Sequence, residues 1–172
     1  MSETIIITDT SVLINFLVLD RAELLTGLPN QRFVVTDHVR AEVTAHYPEQ
    51  LQRLEEAFAK GILEEIRVTE VEEVSLFARL TAEGLGIGEC SAIAVASHRK
   101  LALAIDDKRA VKKLTNIGLG LTIFSTELLV VLLIRETVLA VAEADAMNAE
   151  WEKHHRFRLT FASFADRIPP AE

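Results

Sequence analysis

Segments with strand character alternate with segments with helix character along the whole chain. Short runs of β-branched and aliphatic residues predict five strands, at residues 4–8, 32–36, 62–68, 101–105 and 120–124. Caps and apolar periodicity predict helices at residues 12–19, 37–46, 48–60, 70–83, 89–100, 107–116, 125–134 and 136–153. Repeated strand–helix units are typical of a parallel sheet with helices on both faces. We therefore predict an α/β fold, a three-layer α/β/α sandwich with a central parallel sheet of about five strands.

The length and composition fit one globular domain. The chain has 172 residues, which is the size of a single domain, and its 49% of hydrophobic residues can form a core. A charged fraction of 26% does not suggest disorder. We expect one domain over residues 1–172, with a C-terminal helix and tail at 136–172 that dock against the rest.

Three features indicate a cytoplasmic protein with no membrane partner. The first residues lack the basic start and long apolar core of a signal peptide. The longest apolar run, residues 128–134, is too short to span a bilayer. Cys90 is the single cysteine, so no internal disulfide can form, and a reducing compartment is expected.

The net charge of −8 argues against binding of nucleic acid by bulk electrostatics. The distribution of charge matters more than its sum. Basic residues cluster at 99–100, 108–113 and 153–158; each run is compatible with a solvated helix face, and the last could also contact RNA phosphates.

Five acidic residues fall at related places in the predicted topology. Asp9 directly follows the first strand, and Asp106 and Asp107 follow the fourth. Glu89 opens the helix before the fourth strand, and Glu42 lies one turn into the helix after the second. Ligands of open α/β sheets bind beyond the carboxyl ends of the strands. If the first and fourth strands are neighbours, these carboxylates converge on one small volume.

Converging carboxylates repel one another, and a divalent cation relieves that repulsion. Oxygen ligands select magnesium or manganese over zinc, and such an ion suits phosphodiester hydrolysis. Each residue alone has an ordinary explanation, because Asp9 and Asp107 are plausible helix caps and Glu89 lies in a first turn. Their combination favours a metal site, in which Ser11 would position Asp9 or a water molecule. His38, Glu42 and His46 share a helix face, but this spacing is more typical of a polar surface than of a zinc site.

Four segments resemble the motifs of the PIN-domain family of nucleases, in the same order. They are DTSVLIN at 9–15, VRAEV at 39–43, GIGECSAIAVA at 86–96 and LAIDDKRA at 103–110, and the match covers about residues 5–134. The resemblance implies a metal-dependent endoribonuclease in which Asp9, Glu42, Glu89 and Asp107 hold Mg²⁺ or Mn²⁺.

The fourth segment departs from the family pattern. A hydroxyl residue often stands two positions before its aspartate, whereas this chain has Ile105. Successive residues leaving a strand point opposite ways, so either Asp106 or Asp107 could face the metal. The register favours Asp107, with Asp106 as the alternative.

The segments are most similar to short prokaryotic PIN proteins, many of which are toxins of toxin–antitoxin pairs. That similarity implies an RNA substrate, an antitoxin partner and a homodimer. The run at residues 128–134 is apolar all round, and must be covered by the C-terminal helix or by a second subunit. Two other functions stay open: a non-catalytic PIN-fold binding module, which the intact acidic set disfavours, and a metal-dependent phosphatase, which the lack of a phosphate-binding loop disfavours.

Overall fold

A five-stranded parallel sheet forms the centre of the molecule. The computed structural model describes residues 2–169. The strands are β1 (Thr4–Thr8), β2 (Gln31–Thr36), β3 (Leu63–Ile66), β4 (Ala102–Ala104) and β5 (Ile123–Phe124). They lie in the order β3-β2-β1-β4-β5, and all four pairings are parallel. β1 is therefore central, with β2 and β4 as its neighbours.

Eight α-helices connect and cover the strands. They are α1 (Thr10–Val18), α2 (Asp37–His46), α3 (Leu51–Ala59), α4 (Val71–Ala82), α5 (Ile87–Arg99), α6 (Lys108–Ile117), α7 (Thr126–Arg135) and α8 (Val141–His154). Short 3-10 helices cover Ala22–Gly27, Pro48–Gln50 and Phe164–Arg167. Within residues 2–169, no helix is both long enough and apolar enough to cross a membrane.

Side chains of the strands alternate between two apolar layers. Ile6 and Val35 belong to the layer formed with α1, α3, α7 and α8, whereas Ile7 and Val34 belong to the layer formed with α4, α5 and α6. This alternation follows from the two-residue period of a strand. It confirms the predicted three-layer α/β/α sandwich.

Several element boundaries differ from the sequence-based prediction, and two of the differences have a clear cause in the backbone. The last helix was expected from residue 136, but it begins at Val141, because Thr137 has a φ of 58° and breaks the helical path after α7. The fifth strand was expected over residues 120–124, but only Ile123–Phe124 pair with β4. Gly118 and Gly120 have φ values of 77° and 64°, so the chain turns there instead of extending.

The apolar helix α7 is covered mainly by its own chain. Leu129, Val130 and Leu133 are fully buried, and the helix packs against α8 and the 3-10 helix Ala22–Gly27. Leu128 keeps 37% of its surface exposed. The C-terminal helix α8, one of the two elements expected to cover α7, therefore packs against it together with the 3-10 helix.

The C-terminal segment docks against the body, as predicted. The indole Nε1 of buried Trp151 donates a hydrogen bond to the carbonyl of Asn15 at 2.8 Å. Phe157 packs edge-on against that indole, with 5.3 Å between ring centroids. Further along, the buried Phe164 donates its backbone N–H to the Asp145 carboxylate at 2.8 Å. These contacts fix the tail onto α1 and α8.

A buried ion pair joins α4 to the end of α5. The Glu73 side chain is 0% exposed, and Arg99 Nε lies 2.6 Å from its Oε1. Burial raises the pKa of Glu73, but the hydrogen bonds from Arg99 and from the backbone of Thr69 and Glu70 outweigh it, so the pKa lies below its ordinary value. α5, which carries Glu89, is thus anchored at its far end.

Replacing Arg99 should destabilise the fold more than replacing an exposed arginine. Arg99→Ala leaves a buried carboxylate without its cation, and since Arg99 is itself 32% exposed we expect a loss of about 2–3 kcal/mol. Arg79→Ala is the matched control, because its pair with Glu83 is exposed and should contribute less than about 1 kcal/mol. Urea unfolding measures both, and equal losses would contradict this account.

Candidate metal centre and active site

The carboxyl ends of β1, β2 and β4 lie side by side at one edge of the sheet. β1 pairs with both β2 and β4, which satisfies the condition under which the acidic residues converge. The backbone N–H of Asp9 donates to the carbonyl of Ala104 at 2.9 Å, so the exits of β1 and β4 are joined directly. The first helical turns that follow these strands carry the candidate ligands.

Asp9 is buried at the start of α1, which it caps. Its Oδ2 accepts hydrogen bonds from Ser11 Oγ at 2.8 Å and from Ser11 N at 3.3 Å. Burial raises its pKa to about 6, against hydrogen bonds from Ser11 and Thr10 that lower it, and the charge of Glu42 raises it further. The folded chain thus holds this carboxyl in an environment that disfavours its charge.

Ser11 connects Asp9 to the segment that follows β4. Its Oγ donates to Asp9 and accepts the backbone N–H of Asp106 at 3.1 Å. The hydroxyl therefore uses both its donor and an acceptor site to keep two chain segments in place.

Glu89 lies in the first turn of α5 and faces three other carboxylates. Burial raises its pKa to about 7, and the charges of Asp9, Asp107 and Glu42 raise it further. Such mutual effects require that the four groups lie near one another. The charges of Asp9, Glu42 and Asp107 therefore reach Glu89, which places the four groups in one region at the carboxyl edge of the sheet.

Glu42 reaches this place because residue 88 has no side chain. A Cβ atom on Gly88 would overlap Glu42 Oε2, so the carboxylate lies directly against the start of α5. The two helices are held together nearby by Thr36 Oγ1, which caps α2 at Val39 N (3.0 Å) and lies 2.7 Å from Ser91 Oγ. Sequence reasoning missed Thr36 and Ser91, although a threonine between a strand and a helix is a recognisable cap.

Asp106 and Asp107 have separate environments. Asp107 caps α6, and its Oδ1 accepts from Arg109 N at 2.8 Å and from Ala110 N at 3.1 Å. It is Asp107 whose charge acts on Glu89. The carboxylate of Asp106 instead contacts α1 and α7, so the structure does not bring it into the cluster.

Asp106 is the centre of a second polar group that sequence reasoning missed. Its carboxylate accepts from Thr126 N at 2.8 Å, from Thr126 Oγ1 at 2.5 Å and from Asn15 Nδ2 at 3.1 Å. Burial raises its pKa, and these hydrogen bonds partly oppose the rise. The signal in the sequence was Asn15, a polar residue within the apolar run of α1. This group fixes the exit of β4, and with it the position of Asp107.

The donor chemistry of the cluster fits a hard divalent cation. All four groups are carboxylates, which magnesium and manganese prefer, and their mutual repulsion is what a cation would relieve. Among residues 2–169, no three histidine, cysteine or acidic side chains are placed closely enough to enclose an ion, so binding would require them to draw together. His38 stacks on Phe77 with 5.1 Å between ring centroids, which fits the helix-surface reading of that histidine.

Comparisons with known proteins agree with this architecture. A family model described as a PIN domain, DUF3368, matches residues 5–160. The fold is similar to that of VapBC-1 from nontypeable Haemophilus influenzae, with a TM-score of 0.52, 16% identity, and coverage of 72% of this chain and 98% of that one. VapBC2 from Rickettsia felis, solved with a DNA fragment from its promoter, has a TM-score of 0.52 and 16% identity, and the match covers 71% of this chain and 98% of that one. PAE2754 from Pyrobaculum aerophilum has a TM-score of 0.52 and 13% identity, and the match covers 79% of this chain and 91% of that one. No curated protein matches the chain.

The stability of the metal-free protein should fall as its two raised carboxyls ionise. The pKa values of Asp9 and Glu89 rise from 3.8 and 4.5 to about 6 and about 7, so the folded state keeps protons that the unfolded chain has released. The associated stability is present in full below about pH 4 and is lost as the pH rises through about 6 to 7. Between about pH 5 and pH 8 the wild type should lose on the order of 2 kcal/mol more than Asp9→Asn/Glu89→Gln, after allowance for the half-exposed Glu89.

Urea unfolding in EDTA measures this difference, and the double variant cancels the titration of all other groups. If the unfolding free energies of the two proteins changed with pH in parallel, the pKa values of Asp9 and Glu89 would not be raised in the folded state, and the prediction would be wrong.

Proposed function

Because this chain belongs to the PIN-domain family, we propose that it is a metal-dependent endoribonuclease that hydrolyses phosphodiester bonds of RNA. The observations that support this proposal are the action of the Asp9, Glu42 and Asp107 charges on Glu89 and the close approach of Glu42 to Gly88 at the start of α5. The ordered match of the four sequence motifs supports it.

The four carboxylates would hold Mg²⁺ or Mn²⁺. A bound ion of this kind activates a water molecule and stabilises negative charge on the leaving oxygen. Ser11 fixes one oxygen of Asp9, and the N–H groups at the start of α6 fix one oxygen of Asp107. Both carboxylates are therefore oriented before an ion binds, and this lowers the cost of assembling the site.

Removing one ligand should abolish most of the cleavage without unfolding the protein. Asp9→Asn and Asp107→Asn should each slow RNA cleavage by about a hundredfold or more, since the ion supplies several kcal/mol to the transition state. Asparagine still caps a helix, and a lost charge reduces repulsion, so the metal-free circular dichroism melt should be unchanged or raised. Asp166→Asn, an exposed carboxylate outside the cluster, is the control. Full activity in both ligand variants would refute the mechanism.

The same assay separates the two alternatives. A metal-dependent phosphatase would hydrolyse a chromogenic phosphate ester and leave RNA intact. A non-catalytic binding module would bind RNA and hydrolyse neither. Titration calorimetry with manganese adds an independent measurement, because wild type should bind the ion and Asp9→Asn/Glu89→Gln should not.

We further propose that the enzyme is the toxin of a toxin–antitoxin pair, with an antitoxin protein as its partner. The support is the likeness of its motifs to those of short toxin-like PIN proteins, together with a fold similar to that of VapBC-1 and VapBC2. The partner would be a small DNA-binding or disordered protein. The neighbouring reading frame is the first place to look for it.

A homodimer is the expected assembly, and α7 offers a place for the contact. Leu128 on α7 and Val138 just after it keep 37% and 38% of their surfaces exposed. Light scattering at micromolar concentration should give the mass of two chains, and Leu128→Glu should give that of one. Leu128 is a better probe than Leu132, which is half-buried in its own chain. Val71→Glu on α4, 76% exposed in wild type, is the control. A single-chain mass for wild type would exclude the dimer.

A further inference from the structure

A cavity of about 480 Å³ lies at the exit of β4. Its floor is the exit of β4, at Ile105 and Asp106, and one wall is the first half of α6. The opposite wall is the C-terminal segment from Phe157 to Thr160. Asp107, a proposed metal ligand, lies between Asp106 and Lys108 in the chain, although none of the four proposed ligands is itself part of the lining. The volume lies in the range of sites that hold a small organic ligand.

Two lysines that line the cavity form no ion pair among residues 2–169, whereas the third cation of the lining, Arg158, pairs with Glu152 at 3.1 Å. Lys108 and Lys112 are one turn apart on the same face of α6, and both line it. Over residues 2–169, neither lysine has an acidic group within 4.0 Å, whereas Lys113 on another face of α6 pairs with Glu83 at 3.4 Å.

The acidic groups that line the cavity are engaged elsewhere. The Asp106 carboxylate is occupied by Thr126 and Asn15. Glu127 pairs with Arg167 at 3.4 Å. The hydrogen bonds from neutral donors orient Asp106 but leave its charge in place, so an entering anion would meet two unpaired lysines and one unpaired carboxylate among the described residues that line the cavity.

The wall opposite α6 is apolar and partly aromatic. Phe157 and Leu159 contribute to it, with Val111 and Ile123 facing from α6 and β5. The ring of Phe157 is held at 89° to the indole of Trp151, so its position is set before any ligand arrives. Nucleobases stack on aromatic side chains fixed in this manner.

We propose that this cavity binds one nucleotide of the substrate strand, next to the phosphodiester that is cleaved. Its phosphate lies between Lys108 and Lys112, and its base packs against Phe157 and Leu159. This inference rests on the proposed function, because it takes RNA as the ligand. It makes the C-terminal segment a part of the substrate site as well as of the fold.

Binding of a single-stranded RNA of about ten nucleotides in EDTA tests the lysines without cleavage. Fluorescence anisotropy should show that Lys108→Ala/Lys112→Ala binds on the order of tenfold more weakly than wild type. The slope of log affinity against log salt should fall by about 1.4, since each lost phosphate contact on a single strand contributes about 0.7. The control is Lys60→Ala/Arg135→Ala, which removes the same charge from helix ends at the opposite edge of the sheet. Lysine and control variants with equal affinity and slope would overturn the proposal, as would no binding by wild type up to about millimolar protein.

Phe157→Leu tests the base-binding wall. Leucine keeps the apolar packing on Trp151 but removes the aromatic face, so affinity should fall by about fivefold or more with the salt slope unchanged. A thermal melt equal to that of wild type shows that the segment stays docked. Unchanged affinity in a docked variant would overturn the placement of the base.

These outcomes are separable from failure of the proposed function. RNA that binds through the two lysines but is never cleaved would refute the nuclease and leave the nucleotide site standing. RNA that is cleaved but binds equally well to the lysine and control variants would refute the site and leave the nuclease standing.

Discussion

The parallel pairing of β1 with both β2 and β4 is the constraint on which the rest of the molecule depends. Parallel strands place their carboxyl ends at one edge, so the residues that follow them must meet there. The helices α1, α2 and α6 then begin at that edge, and the first turns of α1 and α6 supply N–H groups that fix carboxylates. In Asp9 and Asp107, the hydrogen bonds that cap a helix are thus the same ones that orient the proposed metal ligand.

Those contacts explain why an unfavourable cluster can persist without its ion. Asp9 is buried and has a raised pKa, yet two hydrogen bonds from Ser11 keep it in place. The missing side chain at Gly88 leaves room for Glu42, and α5 is anchored at its other end by the pair of Glu73 and Arg99. The unfavourable repulsion between these carboxylates is offset by favourable packing in the rest of the fold, as is common for functional sites.

Much of this arrangement follows from the sequence. Short β-branched runs separated by capped helices were sufficient to predict the sheet and its two helical layers, because periodicity and caps are local signals. The candidate ligands followed from topology, since residues after neighbouring strands must meet. Whether Asp106 or Asp107 faces the cluster depended on one residue of register at the end of β4, where the sequence favoured Asp107 but left Asp106 open. The cavity could not be predicted either, because its outer wall, the segment from Phe157 to Thr160, has no periodicity and is positioned by tertiary contacts alone.

Trp151 is the single tryptophan of the chain, and its surroundings give the molecule a built-in optical reporter. The indole is fully buried, its N–H is bonded to the carbonyl of Asn15, and its ring touches Phe157. Asn15 also bonds to Asp106, the neighbour of Asp107, so one chromophore adjoins both the docked tail and the exit of β4. Its emission therefore arises from one defined environment, and a red shift would mark release of the C-terminal segment without any label.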